Sequence, residues 1–280
     1  MDRELYMSLM NRVRQQMSEG TAQPSMATVA LERQSEFGLS DLETAYTLAG
    51  PWDAGVGTVV ITIEVFLLAM LHHPDIQKKA QEEVDQVVGP SRMPEFADME
   101  ALPYVTALIK EVARWRPVAP TGFPHAVTED DTYNGYHIPK GATVYANIHA
   151  IMQDPELFPE PEAFRPERFL GTTNPKLQNF TMQFGFGRRI CPGLHIANQS
   201  VFIVIARWML DRLLWAFDVV PATGPDGKPI LPPTDDFTSG LITRPNPFPC
   251  AFETRQKGAA DLIVLEADRA EAEAARWDTD

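Results

Sequence analysis

The chain has 280 residues, with 24 Lys+Arg against 38 Asp+Glu and a formal net charge of −14. Hydrophobic residues make up 44% and charged ones 22%, which excludes a disordered chain, and at about 150 residues per domain the length allows one large or two small domains. The acidic balance argues against nucleic-acid binding, and two cysteines, Cys191 and Cys250, are too few for a disulfide framework.

The opening MDRELYMSLMNRVRQQ is charged throughout and does not read as a signal peptide. Residues 3–18 predict a charged helix and 24–35 a second. Ser40 and Glu43 form an S-x-x-E capping box. It opens a long helical pattern that runs to Leu71 and is closed by His72-His73-Pro74. Pro51, directly after Gly50, predicts a kink or break, because proline in a helix interior costs about 3 kcal/mol. Pro74 suits the first turn of a helix carrying QKKAQEEVDQVV and stopping at Gly89. Pro103 opens LPYVTALIKEVARWR, which ends before Pro117.

Seventeen of the 24 prolines lie in two blocks, nine from Pro117 to Pro175 and eight from Pro221 to Pro249. These blocks cannot be long helices. They read as coil with short strands at Tyr136–Ile138, Thr143–Ile148 and Phe248–Phe252. Between the blocks, Pro192 opens a fourth long helix through about Trp215. The Ala- and acid-rich tail, residues 255–280, reads as an exposed helix separate from the body, residues 1–254. The longest apolar stretches, Val59 to Met70 and Val201 to Leu210, contain Glu64 and Arg207. Both fall short of the ~20 apolar residues a bilayer span requires. The expected class is mainly α with a small β region.

The most informative segment is Phe184-Gly-Phe-Gly-Arg-Arg-Ile-Cys-Pro-Gly193. Gly185, Gly187 and Gly193 permit tight turns and close backbone approach. Cys191 stands before Pro192 at the start of a predicted helix, beside Arg188 and Arg189. Helix N–H groups and two cations favour the thiolate, which is a nucleophile or a metal ligand. A lone cysteine is more often a buried structural residue.

Here the surroundings decide. Phe184, Gly187, Arg189, Cys191 and Gly193 match F-x-x-G-x-R-x-C-x-G at all five fixed positions, and the chain resembles the cytochrome P-450 family of haem-thiolate monooxygenases. The resemblance implies that Cys191 is the axial ligand of haem iron, where a thiolate favours O–O cleavage. It implies that Arg189 pairs with a haem propionate and that Phe184 packs beside the ring. It also implies that Gly187 and Gly193 let backbone amides approach the sulfur. Glu111-Val-Ala-Arg114 and Pro166-Glu-Arg-Phe169 resemble two further landmarks, implying a buried Glu111–Arg114–Arg168 network. PTGFPHAVTEDDTYNGYHIPKG resembles the segment passing the haem and makes His125 a second propionate partner.

Counting back from FLLAMLHHP aligns Ala54-Gly55-Val56-Gly57-Thr58 with the family's distal motif. Thr58 matches the proton-delivering threonine, Gly57 stands where the family has an acid, and Asp53 is a substitute acid one turn earlier. The resemblance implies that Phe237–Ile242 falls where the family has a late substrate-contacting turn, the other reading being a plain surface turn. The resemblance further implies an apolar substrate and electrons from NADPH through a flavoprotein reductase. It implies an endoplasmic-reticulum location for full-length relatives. The match is to the C-terminal, haem-proximal part of the fold, in a fungal style, with no N-terminal anchor encoded. The alternatives are a haem-thiolate isomerase or peroxygenase, and an inactive remnant acting as a non-enzymatic haem-binding or interaction protein.

Overall fold

The computed structural model describes residues 2–206, 212–255 and 259–275. Helices α1 (Asp2–Glu19), α2 (Met26–Glu32) and α3 (Gln34–Phe37) precede the long α4 (Asp41–His72), and α5 (Pro74–Val87) and α6 (Pro103–Trp115) follow it. The proline blocks carry short elements: strands β1 (His125–Ala126), β2 (Asp131–Tyr133), β3 (Tyr136–Ile138) and β4 (Thr143–Val144), then helices α7 (Ile148–Met152) and α8 (Pro175–Gln178). Helices α9 (Leu194–Ala206) and α10 (Arg212–Ala216), strands β5 (Phe217–Pro221) and β6 (Cys250–Thr254), and helix α11 (Ala259–Ala274) complete the described chain. The strands form three two-stranded antiparallel ladders, β1–β4, β2–β3 and β5–β6. The fold class is mainly α with small sheets, as expected.

The chain divides into two units, Met1–Gly57 with Asp261–Asp280, and Thr58–Ala260. In the first, Arg14 grips Asp41 through Nη1 at 3.0 Å and Nη2 at 2.8 Å, and Gln34 Nε2 donates to the same carboxylate at 2.8 Å. These donors, Arg14 first, hold the exposed Asp41 carboxyl down at about 2. The capping box forms as predicted: Ser40 N–H donates to Glu43 Oε2 at 2.9 Å, and Glu43 N–H returns to Ser40 Oγ at 3.3 Å.

The expected break at Pro51 does not occur, because α4 runs unbroken through it. A proline removes one ladder bond, here to the Thr47 carbonyl, and residues 50–57 are all exposed, so water can satisfy that carbonyl. The membrane estimate is also corrected. α4 is long and apolar enough by length and composition to cross a bilayer, with an 18-residue window of mean hydropathy 2.2, 44% of it buried in the protein. The two-stretch reading missed this because Thr, Gly and Ala residues extend the apolar run.

In the second unit, α4 buries Ile61, Ile63, Val65, Phe66 and the run Leu68–Leu71. Pro74 and Pro103 both occupy first-turn positions, where the missing N–H costs nothing. Glu83 of α5 caps α6, accepting from Tyr104 N–H at 2.8 Å and Val105 N–H at 2.9 Å. The buried face of α5 carries two amides toward β5. Gln77 Oε1 accepts from Val219 N–H at 3.0 Å, and Gln81 Nε2 donates to the Phe217 carbonyl at 3.1 Å and Asp218 Oδ1 at 2.9 Å.

The predicted strand Thr143–Ile148 stops at Val144, because the Asn147 side chain accepts from Ala150 N–H at 3.0 Å and starts α7. The predicted helix from Pro192 to Trp215 begins at Leu194 and ends its described part at Ala206; residues 207–211 lie outside the described residues. The tail is helical from Ala259, but Arg255 belongs to the body: its guanidinium donates to the Leu214 carbonyl at 2.6 Å and pairs with Asp85 at 2.6 Å.

Candidate functional site

Cys191 sits on a loop shaped by glycines. Met182–Phe184 and Gly187–Arg189 are single 3-10 turns, and Gly185 between them adopts φ 83° and ψ −162°, a conformation closed to other residues. Cys191 N–H donates to the Phe184 carbonyl at 2.8 Å, closing the loop over seven residues. Leu194 N–H then reaches the Cys191 carbonyl at 3.4 Å. The cysteine therefore lies one turn before the helix rather than at its first residue. The thiol is free and half-buried. A Cβ at Gly193 would stand 3.8 Å from Sγ, in ordinary contact with it.

Among the described residues, no group of three His, Cys, Asp or Glu could hold a metal ion together. A lone free cysteine such as Cys191 is the donor that a haem iron would take from a protein. Arg188 and Arg189 are exposed, and neither pairs with a carboxylate among the described residues. His125 is exposed on β1, opposite Val144 of β4. These are free donors of the kind that propionates take. The residues present fit haem.

The acid–base landmarks converge. Glu111 and Arg114 are fully buried, and the Arg168 side chain is 3% exposed. Glu111 accepts from Arg114 Nε at 2.7 Å and Nη2 at 2.9 Å, and its oxygens lie 3.1 and 3.2 Å from Arg168 Nε. The Arg165 backbone N–H adds a bond at 2.7 Å. Arg114 Nη1 donates to the Met152 carbonyl at 2.9 Å, and Arg168 Nη2 to the Ala163 carbonyl at 2.9 Å. Burial pulls the Arg168 guanidinium below its ordinary value, and Glu111 opposes that pull. Phe158, Phe169 and Phe180 pack against one another, and the Arg114 guanidinium lies 5.5 Å from the Phe158 ring centroid.

On α4, Thr58 is partly buried, and its carbonyl accepts from the Thr62 hydroxyl at 2.9 Å. A Cβ at Gly57 would meet nothing within 4 Å, so the missing acid leaves open space. Asp53 is held in the first unit, where the Tyr6 hydroxyl donates to its Oδ2 at 2.6 Å. That bond, before burial, pushes the Tyr6 hydroxyl up to about 12. Sequence reasoning did not find Tyr6, because nothing local marks a partner 47 residues away. The backbone groups of Arg165, Met152 and Ala163 were equally invisible, since a main-chain donor or acceptor carries no residue signature.

The family model described as Cytochrome P-450 matches residues 3–249. Cytochrome P-450 monooxygenase 58 of Postia placenta is 44% identical over 270 residues, covering 94% of this chain and 50% of that protein. Cytochrome P-450 monooxygenase claR of Ampulloclitocybe clavipes is 40% identical over 261 residues, covering 91% of this chain and 47% of that one. A zebra fish cytochrome P-450 structure with progesterone is 32% identical with a TM-score of 0.66, covering 78% of this chain and 47% of that one. The chain spans about half the length of these relatives. The fungal sources agree with the style read from the sequence. A glycine-shaped cysteine loop, a buried Glu-Arg-Arg network preceding it in the chain, and a profile match over most of the sequence have one common explanation: the chain belongs to the cytochrome P-450 family.

Proposed function

We propose that this chain is the haem-binding part of a monooxygenase that inserts one atom of dioxygen into an apolar organic substrate, the other atom leaving as water. The observation that carries the reading is Cys191, a free thiol on a loop that matches the haem signature at all five fixed positions. Haem held by a thiolate supplies the dioxygen activation when bound.

Cys191 would hold the haem iron through its sulfur. Arg189 and His125 orient the group through its propionates by charge-assisted hydrogen bonds. Phe184 packs beside the sulfur and excludes water from it. Gly187 and Gly193 leave the backbone amides free to approach the thiolate and moderate its charge. Thr58 holds and passes a proton through its hydroxyl on the distal side, and the space at Gly57 admits water there. Asp53 is an auxiliary proton donor that must exchange its Tyr6 bond for water. Glu111, Arg114 and Arg168 touch no reacting atom; they fix the segments that carry the proximal loop. Electrons come from NADPH through a flavoprotein reductase.

The lack of an acid at Gly57 favours one second reading, a haem-thiolate peroxygenase or isomerase, for which that acid matters less. The test is to load the purified chain with haem and supply an apolar substrate. Product that requires both NADPH and reductase supports the monooxygenase. Product with hydrogen peroxide alone favours the second reading, and haem binding without turnover under either regime overturns both.

A further inference from the structure

A carboxylate stands in the most apolar stretch of α4. Glu64 lies between Ile63 and Val65, both buried, and helical spacing places it on one face with Val60 and Leu68. Leu68 lines a small cavity closed by Ile230, Pro232, Pro245 and Phe248, so this face is turned toward the second proline block. Glu64 pairs there with Arg244. Its second oxygen, Oε2, is buried with no hydrogen-bond partner among the described residues.

Arg244 is part of a small hairpin. Thr238 N–H donates to the Arg244 carbonyl at 2.9 Å, and Arg244 N–H to Thr238 Oγ1 at 3.1 Å. Below it, Asn246 N–H donates to the Asp236 carbonyl at 3.0 Å and Asn246 Nδ2 to Asp236 Oδ1 at 2.6 Å. The hairpin is therefore closed on itself. Among the described residues, two polar contacts fix it to the rest of the unit: Thr243 N–H to the Val118 carbonyl at 2.9 Å, and Arg244 to Glu64.

Stability does not explain this pair. An apolar residue at position 64 would match its neighbours, whereas a carboxylate there leaves one oxygen buried and unpaired while the side chain stays 24% exposed. What a charge in an apolar face supplies is a single permitted register. A hairpin held only by apolar contact around Leu68 could slide, but only one placement brings Arg244 to Glu64.

We propose that the Glu64–Arg244 ion pair is a positioning device that sets where the Phe237–Ile242 turn sits against α4, and thereby which apolar substrates the site admits. The selectivity clause rests on the monooxygenase reading above; the register clause does not.

The test follows amide hydrogen exchange in the full 280-residue chain, in E64Q and R244Q, and in the swap that combines Glu64→Arg with Arg244→Glu. Peptides covering 236–246 should exchange about five- to thirtyfold faster in each single variant, with α6 unchanged, and the swap should restore protection. Unchanged exchange at 236–246 in R244Q, or equal acceleration in α6, overturns the register. Arg244 is half-exposed, so R244Q remains informative if a substitution at Glu64 or the swap fails to fold. In the haem-loaded chain, the rank order of affinities for a panel of apolar ligands should change in R244Q while haem content does not. Faster exchange with an unchanged rank order overturns the selectivity clause alone.

Discussion

Removing Glu111 takes from the buried network its one carboxylate. Its two oxygens serve two guanidinium groups and the Arg165 backbone N–H, all at 2.7–3.2 Å, with no exposure to water. Glu111→Ala strands the buried Arg114 charge and the nearly buried Arg168 charge together, a loss of about 3–5 kcal/mol. For a unit of this size that is roughly 6–20 °C in Tm. Arg114→Ala and Arg168→Ala should fall in the same range, because each leaves the carboxylate short of a partner. The three are expected to be strongly non-additive, since they act on one network. Replacing the whole triad with apolar residues of similar volume, Glu111→Leu with Arg114→Met and Arg168→Met, removes all three charges at once and should cost less than any single truncation. Urea unfolding followed by far-ultraviolet circular dichroism measures each value. A double variant of Glu111→Ala with Arg114→Ala that loses the sum of its singles would refute the coupled network.

Two other predictions rest on single contacts. Asp41 is held at about 2 by Arg14 and Gln34, below the ~3.9 of an unfolded chain, so its contribution is complete above about pH 4 and disappears as pH falls through 2. Acid titration should loosen α1 against α4 in that window, and Asp41→Asn should abolish the transition; a transition that survives in Asp41→Asn removes the assignment. Gln81→Ala leaves the Phe217 carbonyl without its donor and should destabilise the chain by about 1–3 kcal/mol. Lys78→Ala, at an exposed position of the same helix, should stay within about 0.5 kcal/mol of the wild type. Equilibrium unfolding of Gln81→Ala at the wild-type value would show that the α5–β5 amide contact contributes nothing.

The start signals were the most legible part of the fold. Prolines at helix first turns and the Ser40–Glu43 box act through the backbone of their own turn, so the sequence displays them directly. The strands were harder. β2 and β3 are joined by Asn134-Gly135, both with positive φ, the Asn-Gly signature of a tight hairpin that could have revealed β2. β1 has two residues, too few for any alternation, and β5 takes its amide partners from Gln77 and Gln81 more than 130 residues earlier. A reading by helical pattern alone assigns those glutamines to a polar face, and only the packed structure shows them buried. At the site, the E-x-x-R and P-E-R-F landmarks were visible as residue types, while the carbonyls that complete their bonding were not. Glu64 was visible as a charge in an apolar run, but its partner lay in the other proline block.

The central claim is that Cys191 ligates haem iron, and the reduced, CO-bound absorption spectrum tests it most directly. The haem-loaded chain and Cys250→Ser should both show the long-wavelength Soret band of a thiolate ligand. Cys191→Ser and Cys191→His should lose it. A Soret band that persists unchanged in the Cys191 variants would contradict the account at its root.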